Sequence, residues 1–214
     1  NGSGGLYVWG VVTGDVTLTG LDASTNAGWG VFVEGAFGAS SIVNSTMSDN
    51  EDVGLALYDA RSAVVITGTT VTSNGTNDSG VDLRSVDGDV TVTDSAFIGN
   101  SDIGLYVGAA TGDVTITGTT ATDNGSNGLY IRDVTGSVTV TDSELSRNLT
   151  GGLYIQSNVG GDVTIERVSA LDNVFDGLTV HDVQGAVSIS DSSVAGSGGQ
   201  IRAWISARAS SSSR

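Results

Sequence analysis

A phrase of the form Gly-Leu-Tyr-Val, or a relative of it, recurs eight times in this chain, beginning at Gly5, Gly30, Gly54, Gly80, Gly104, Gly128, Gly152 and Gly177. Successive spacings are 25, 24, 26, 24, 24, 24 and 25 residues. A unit of that length cannot bury its apolar face alone; copies must stack to make a core. An Asn stands four positions before most of these glycines, at Asn1, Asn26, Asn50, Asn100, Asn124, Asn148 and Asn173. Asn74 belongs to the set but lies six before Gly80, which marks a two-residue insertion. A second motif recurs in the same register: Val-Thr-Leu-Thr at 16–19, then Val-Thr-Val-Thr at 90–93 and 138–141 and Val-Thr-Ile-Thr at 114–117.

Inside each motif the apolar period is two. Leu6 and Val8 alternate with Tyr7 and Trp9, and Val16 and Leu18 with Thr17 and Thr19. That is strand periodicity with one face buried. A third short segment carries a single apolar residue at a fixed place: Ala23, Met47, Val71, Phe97, Ala121, Leu145, Ala170 and Val194. The expected fold is all-β: a right-handed parallel β-helix of about 8 coils, each of about 24 residues with three short strands. At roughly 4.8 Å between coils the rod is about 38 Å long. Leu6, Val31, Leu55, Val81, Leu105, Leu129, Leu153 and Leu178 form one inward column, and Val8, Val33, Leu57, Leu83, Val107, Ile131, Ile155 and Val180 the next. Asn26, Asn50, Asn74, Asn100, Asn124, Asn148 and Asn173 are read as a buried structural amide ladder, because stacked amides satisfy one another.

The composition agrees with stacked coils. There is no Pro to remove a bond from an interior strand, and 32 of 214 residues are Gly, which supply tight corners. The absence of Cys excludes disulfides and thiolate metal sites. Net charge −16 without a single Lys argues against nucleic acid and anionic lipid. No apolar run is long enough to span a membrane, and no signal peptide is visible. Asn1 already occupies the ladder position, so the chain is expected to start inside the register of a longer solenoid or to lack its preceding cap. The domain expectation is a β-helix over 1–198, with 199–214 a terminal cap or partial coil ending in a flexible Ser/Arg tail.

The phrase Asp123-Asn124-Gly125-Ser126-Asn127-Gly128-Leu129-Tyr130-Ile131 resembles the parallel β-helix repeat of the pectate-lyase-like superfamily. The resemblance covers about residues 1–198. It implies a fold shared by polysaccharide lyases and hydrolases, phage tailspikes, and secreted or surface adhesin-like proteins. The regular Gly-Asp-Val-Thr-rich repeats are most similar to bacterial surface or secreted members, which makes an extracellular location the expectation. Fold does not decide among such functions.

Function is sought on the outward columns. The first strand's column reads Tyr7, Phe32, Ala56, Asp82, Tyr106, Tyr130, Tyr154 and Thr179, and its neighbour Trp9, Glu34, Tyr58, Arg84, Gly108, Arg132, Gln156 and His181. Tyr7, Phe32, Tyr58, Tyr106, Tyr130 and Tyr154 with Arg84 and Arg132 are candidates for a glycan or partner face, since flat apolar rings with polar arms suit sugars. The competing reading is that stacked Tyr stabilises the sheet through neighbour pairing. Catalysis is the less favoured reading, and no catalytic residue is assigned. Asp59, Asp82, Asp133 and Asp182 lie on or beside the first strand without an evident pair of the kind glycosidases use.

A second face carries Thr91, Thr93, Thr115, Thr117, Thr139 and Thr141, a hydroxyl–methyl lattice resembling ice-binding faces. Val65, Val43 and Glu166 interrupt it, and Thr is also simply a good strand residue. No cofactor is expected. Asp89 and Asp113, successive turn carboxylates, are weak Ca²⁺ candidates, with turn chemistry the plainer reading. Six Asn-x-Ser/Thr sequons occur, at Asn1, Asn44, Asn74, Asn77, Asn124 and Asn148; those on the ladder are expected to be buried. The leading functional expectation is a non-enzymatic structural or adhesive solenoid that self-associates, even into filaments, or holds a surface glycan or protein. The alternatives are a polysaccharide-binding or polysaccharide-degrading β-helix, and an ice-binding one.

Overall fold

A computed structural model of the chain describes residues 2–76, 78–196 and 200–205, the last three by their backbone alone. Asn1, Asn77, residues 197–199 and residues 206–214 lie outside the described residues. The strands form parallel stacks, with at most one strand of each coil in each stack. The first-strand stack has nine members, from Leu6–Val12 to Ile201–Ile205, and the second has eight, from Val16–Thr19 to Val187–Ser190. The third stack is two pieces, from Thr46–Ser48 to Thr120–Thr122 and from Ser169–Leu171 to Ser193–Ala195. Isolated bridges through Glu144 to Thr120 and Ser169 join them. Each residue pairs with its repeat equivalent: Leu105 with Val81 and Leu129, and Thr115 with Thr91 and Thr139. The expected parallel β-helix is therefore the fold, and the 24-residue spacing is its coil.

Both inward columns are buried from the second coil onward, and the third-segment residues from Ala23 to Ala170 fill the remaining corner. Periodicity alone does not reveal a further inward column, Ala36, Ala60, Val86, Ala110, Val134, Val159 and Val183. It arises because most first strands bend at a residue with positive φ: Gly35, Asp59, Ser85, Ala109, Asp133 and Asp182. The bend breaks the alternation of two and returns the following residue to the core. Two more columns of positive φ follow the second and third strands, for example Asn44, Asp94 and Asp142, and Asp49, Asp123 and Asp172. Asp and Asn tolerate this left-handed region better than other side chains. Much of the acidic composition is therefore corner chemistry.

The Asn ladder is continuous. Asn26 Nδ2 donates to Asn50 Oδ1 at 2.8 Å, and the pattern repeats through Asn74, Asn100, Asn124 and Asn148 to Asn173. The second Nδ2 proton goes to a third-strand carbonyl of the coil before, as from Asn124 to Phe97 at 3.0 Å. Each Oδ1 also accepts a backbone N–H, as from Asn100 to Asn124 at 3.0 Å. The repeat glycine is part of the same device: a Cβ on Gly104 would lie 2.8 Å from Asn124 Nδ2. The Asn of one coil occupies the space where the glycine of the coil before lacks a side chain. The sequon residues Asn74, Asn124 and Asn148 are buried in this ladder, whereas Asn44 is exposed.

Candidate functional site

Register places the outward residues of the first-strand sheet side by side, and their rings meet from coil to coil. Tyr7 and Phe32 have centroids 5.1 Å apart, and Phe32 and Tyr58 5.2 Å. Trp29, from the turn before its strand, packs on both Tyr7 and Phe32 at 5.8 and 5.2 Å. In the later coils Tyr106, Tyr130 and Tyr154 follow at 5.4 and 5.2 Å, and Tyr154 meets His181 edge-on at 5.9 Å. Tyr106 has room because its neighbour is Gly108, where a Cβ would come within 2.6 Å of the phenol oxygen.

Arg84 joins the two tracts. Its guanidinium lies 5.3 Å from the Tyr58 ring and 5.5 Å from the Tyr106 ring. Asp82 holds it from below: Arg84 Nε donates to Asp82 Oδ1 at 2.9 Å, and Nη2 lies 2.7 Å from Oδ2. The same Oδ2 accepts the Tyr58 hydroxyl at 2.9 Å. Asp82 is 6 % exposed while the Arg84 side chain is 58 % exposed, so the carboxylate is a buried anchor and the cation a surface plate. Burial, then the Asp82 charge and hydrogen bond, push the Tyr58 phenol up to about 12. Burial also raises Tyr106 and Tyr154. These phenols stay neutral near neutral pH.

The candidate residues Tyr7, Phe32, Tyr58, Tyr106, Tyr130, Tyr154 and Arg84 thus fall on one stripe. Arg132 lies beside it, with Nε on Asp133 Oδ2 at 2.8 Å, and Gln156 donates to the Tyr130 hydroxyl. Column reading misses Trp29, whose turn position lies off both strand columns. It also misses an open cleft of about 420 Å³ where the stripe runs into the last coils, lined by Tyr154, Phe175, Asp176, Thr179, His181 and Arg202 among others. Phe175 is 61 % exposed there, and Arg202 Nε pairs with Asp176 at 3.0 Å. The residue before Gly177 in each repeat is variable, so only the folded turn shows this role for Asp176.

The four carboxylates considered for catalysis do not converge. Asp59, Asp133 and Asp182 occupy the left-handed bend, while Asp82 is committed to Arg84 and Tyr58. The Thr residues 91, 93, 115, 117, 139 and 141 stand in register on the second sheet, half-buried, with Thr117 and Thr141 hydroxyls 3.1 Å apart. Asp89 and Asp113 form a turn column in which each Oδ1 accepts a backbone N–H of the next coil, from Asp113 at 2.9 Å and Ser137 at 2.8 Å. Among the described residues no group of three or more acidic or His side chains is placed to hold a metal ion. Among the same residues no helix is long and apolar enough to cross a membrane.

Two solved structures illustrate the likeness in architecture. One is the A-module of the mannuronan C-5 epimerase AlgE6 of Azotobacter vinelandii, 11 % identical with TM-score 0.40 over 86 % of this chain. The other is the catalytic domain of a GH87 α-1,3-glucanase in complex with tetrasaccharides, 10 % identical with TM-score 0.34 over 88 % of this chain. This chain spans 63 % and 48 % of their lengths. No curated protein matches the sequence. A family model for the right-handed beta helix region matches residues 1–111 and 75–212, between them nearly the whole chain. With its parallel coils and Asn ladder, the chain belongs to the right-handed β-helix family.

Proposed function

We propose that the chain is a glycan-binding β-helix, non-enzymatic and extracellular, that holds a polysaccharide along the outer face of its first-strand sheet. The observation that carries this is the stripe itself: rings 5.1 to 5.4 Å apart between neighbouring coils, running along the rod and joined across its middle by Arg84. Pyranose rings present apolar C–H faces that stack on aromatic rings, and their hydroxyls pair with phenol and guanidinium groups at the edges. This favours the polysaccharide reading over self-association. The tied-up Asp82 and the dispersed carboxylates favour binding over cleavage.

Native affinity electrophoresis through gels containing a panel of polysaccharides tests this. At least one glycan should retard the protein. Tyr130→Ala, which removes a ring from the centre of the later tract, should weaken the retardation about tenfold with unchanged far-UV circular dichroism. A panel that leaves migration untouched refutes the proposal.

A further inference from the structure

The stripe carries cations, but each is already neutralised by a carboxylate of this chain. Arg84 is chelated by Asp82, Arg132 is bonded to Asp133, and Arg202 is paired with Asp176. Carboxylates flank the same face without such compensation. Asp52, Asp78 and Asp102 stand in successive coils on the turn that leads into the first strand, and among the described residues no Arg reaches them in an ion pair. Burial, and then the neighbouring charges of Asp52, Asp82 and Asp102, push the Asp78 carboxyl up, and the more distant charge of Arg84 opposes them only in part. The chain as a whole carries −16.

From this juxtaposition we infer that the aromatic stripe selects glycans that carry no acidic groups and turns uronate or sulfated polymers away; the inference rests on the glycan-binding reading above. A polyanion would have to approach an uncompensated carboxylate column. To gain the full charge of an Arg, it would have to compete with that Arg's own carboxylate partner, and drawing Arg84 away would strand Asp82 in a site where it is 6 % exposed. A neutral glycan stacks on the rings and on the flat guanidinium of Arg84 without disturbing any pair. Arg84 then acts as a member of the stacking surface rather than as a charge receptor.

Isothermal titration calorimetry with laminarin and dextran as uncharged probes, and with polygalacturonate and alginate as uronates, tests the selectivity at low and high salt. We expect an uncharged glycan to bind with an affinity that salt leaves unchanged, and the uronates to bind at least about tenfold more weakly at low salt. Asp82→Asn releases Arg84 and should raise uronate affinity about tenfold. Asp78→Asn/Asp102→Asn, on the exposed turn, provides a second gain of uronate binding should the first variant fail to fold. Uronates binding the wild type as tightly as neutral glycans, with an affinity that salt abolishes, would overturn the inference while leaving the stripe a glycan face. Folded variants that both gain no uronate affinity would overturn it in the same way. Binding of neither class removes the glycan reading, and this inference with it.

Discussion

Ser40 is fully buried, and its hydroxyl oxygen has no hydrogen-bond partner among the described residues. It stands in a second-strand column whose members on either side are Val16 and Val64. A buried hydroxyl without a partner costs about 1–3 kcal/mol. Ser40→Val fits the column and should stabilise the rod by about 1–2 kcal/mol, seen as a higher urea midpoint at unchanged m-value. A midpoint at or below that of the wild type would show that the hydroxyl is satisfied after all. The same scale shows where residue type misleads. Asp82 reads as one exposed carboxylate in a stripe of Tyr, yet it is the buried partner that fixes both Tyr58 and Arg84. Nothing local marks it, because its partners lie two residues away on its own strand and a full coil before.

Among the repeating elements, the Asn ladder and the repeat glycine work as one. Asn124 donates to Asn148 and to the Phe97 carbonyl, and its Oδ1 accepts both the amide side chain and the backbone N–H of Asn100. Asn124→Ala removes those four hydrogen bonds and leaves the Asn100 backbone N–H without its acceptor in the interior. The cost should be about 3–5 kcal/mol, well above that of one hydrogen bond, because the bonds on either side lose their polarising neighbour. Equilibrium urea unfolding measures it; a loss under about 1 kcal/mol would mean that the ladder follows the stacking instead of supporting it. The ladder was legible in the sequence because its spacing repeats with one residue type. The bend inside the first strand was not, because Gly, Asp, Ser and Ala all occupy it. Only the backbone shows that Gly35, Asp59, Ser85 and Ala109 share a conformation.

For the rod as a whole, two sets of titrating groups set opposite limits to stability. Burial raises Tyr58, Tyr106 and Tyr154 above the ordinary phenol value. An acid whose folded pKa is raised holds its proton more tightly when folded, so its stabilisation is complete below about pH 10 and is lost as pH climbs through about 12. The hydrogen bond from Arg147 lowers Asp123, and that from Arg167 lowers Asp142. Their stabilisation is present above the unfolded carboxylate value and disappears as pH falls through the lowered one. Urea midpoints should therefore fall at both pH extremes. The alkaline fall should be smaller and end at lower pH in Asp82→Asn, since that variant removes the charge that follows burial among the causes for Tyr58. An alkaline fall of unchanged size would show that burial alone raises the phenol.

The sequence by itself determined the coil, the direction of its strands, the buried amide column and the outward order of the aromatic residues. All of these depend on a period of two inside a strand and a period of about 24 between coils, which any aligned copy displays. Only the tertiary structure decided that Arg84 closes the gap between two aromatic tracts, that Asp82 is buried beneath it, and that Phe175, Asp176 and Arg202 make a cleft at the end of the stripe. These features depend on side-chain direction and on contacts that, apart from Arg84 on Tyr58, join residues at different repeat positions. A column read from the sequence gives which residues are neighbours, whereas burial and pairing emerge only once the coils have stacked.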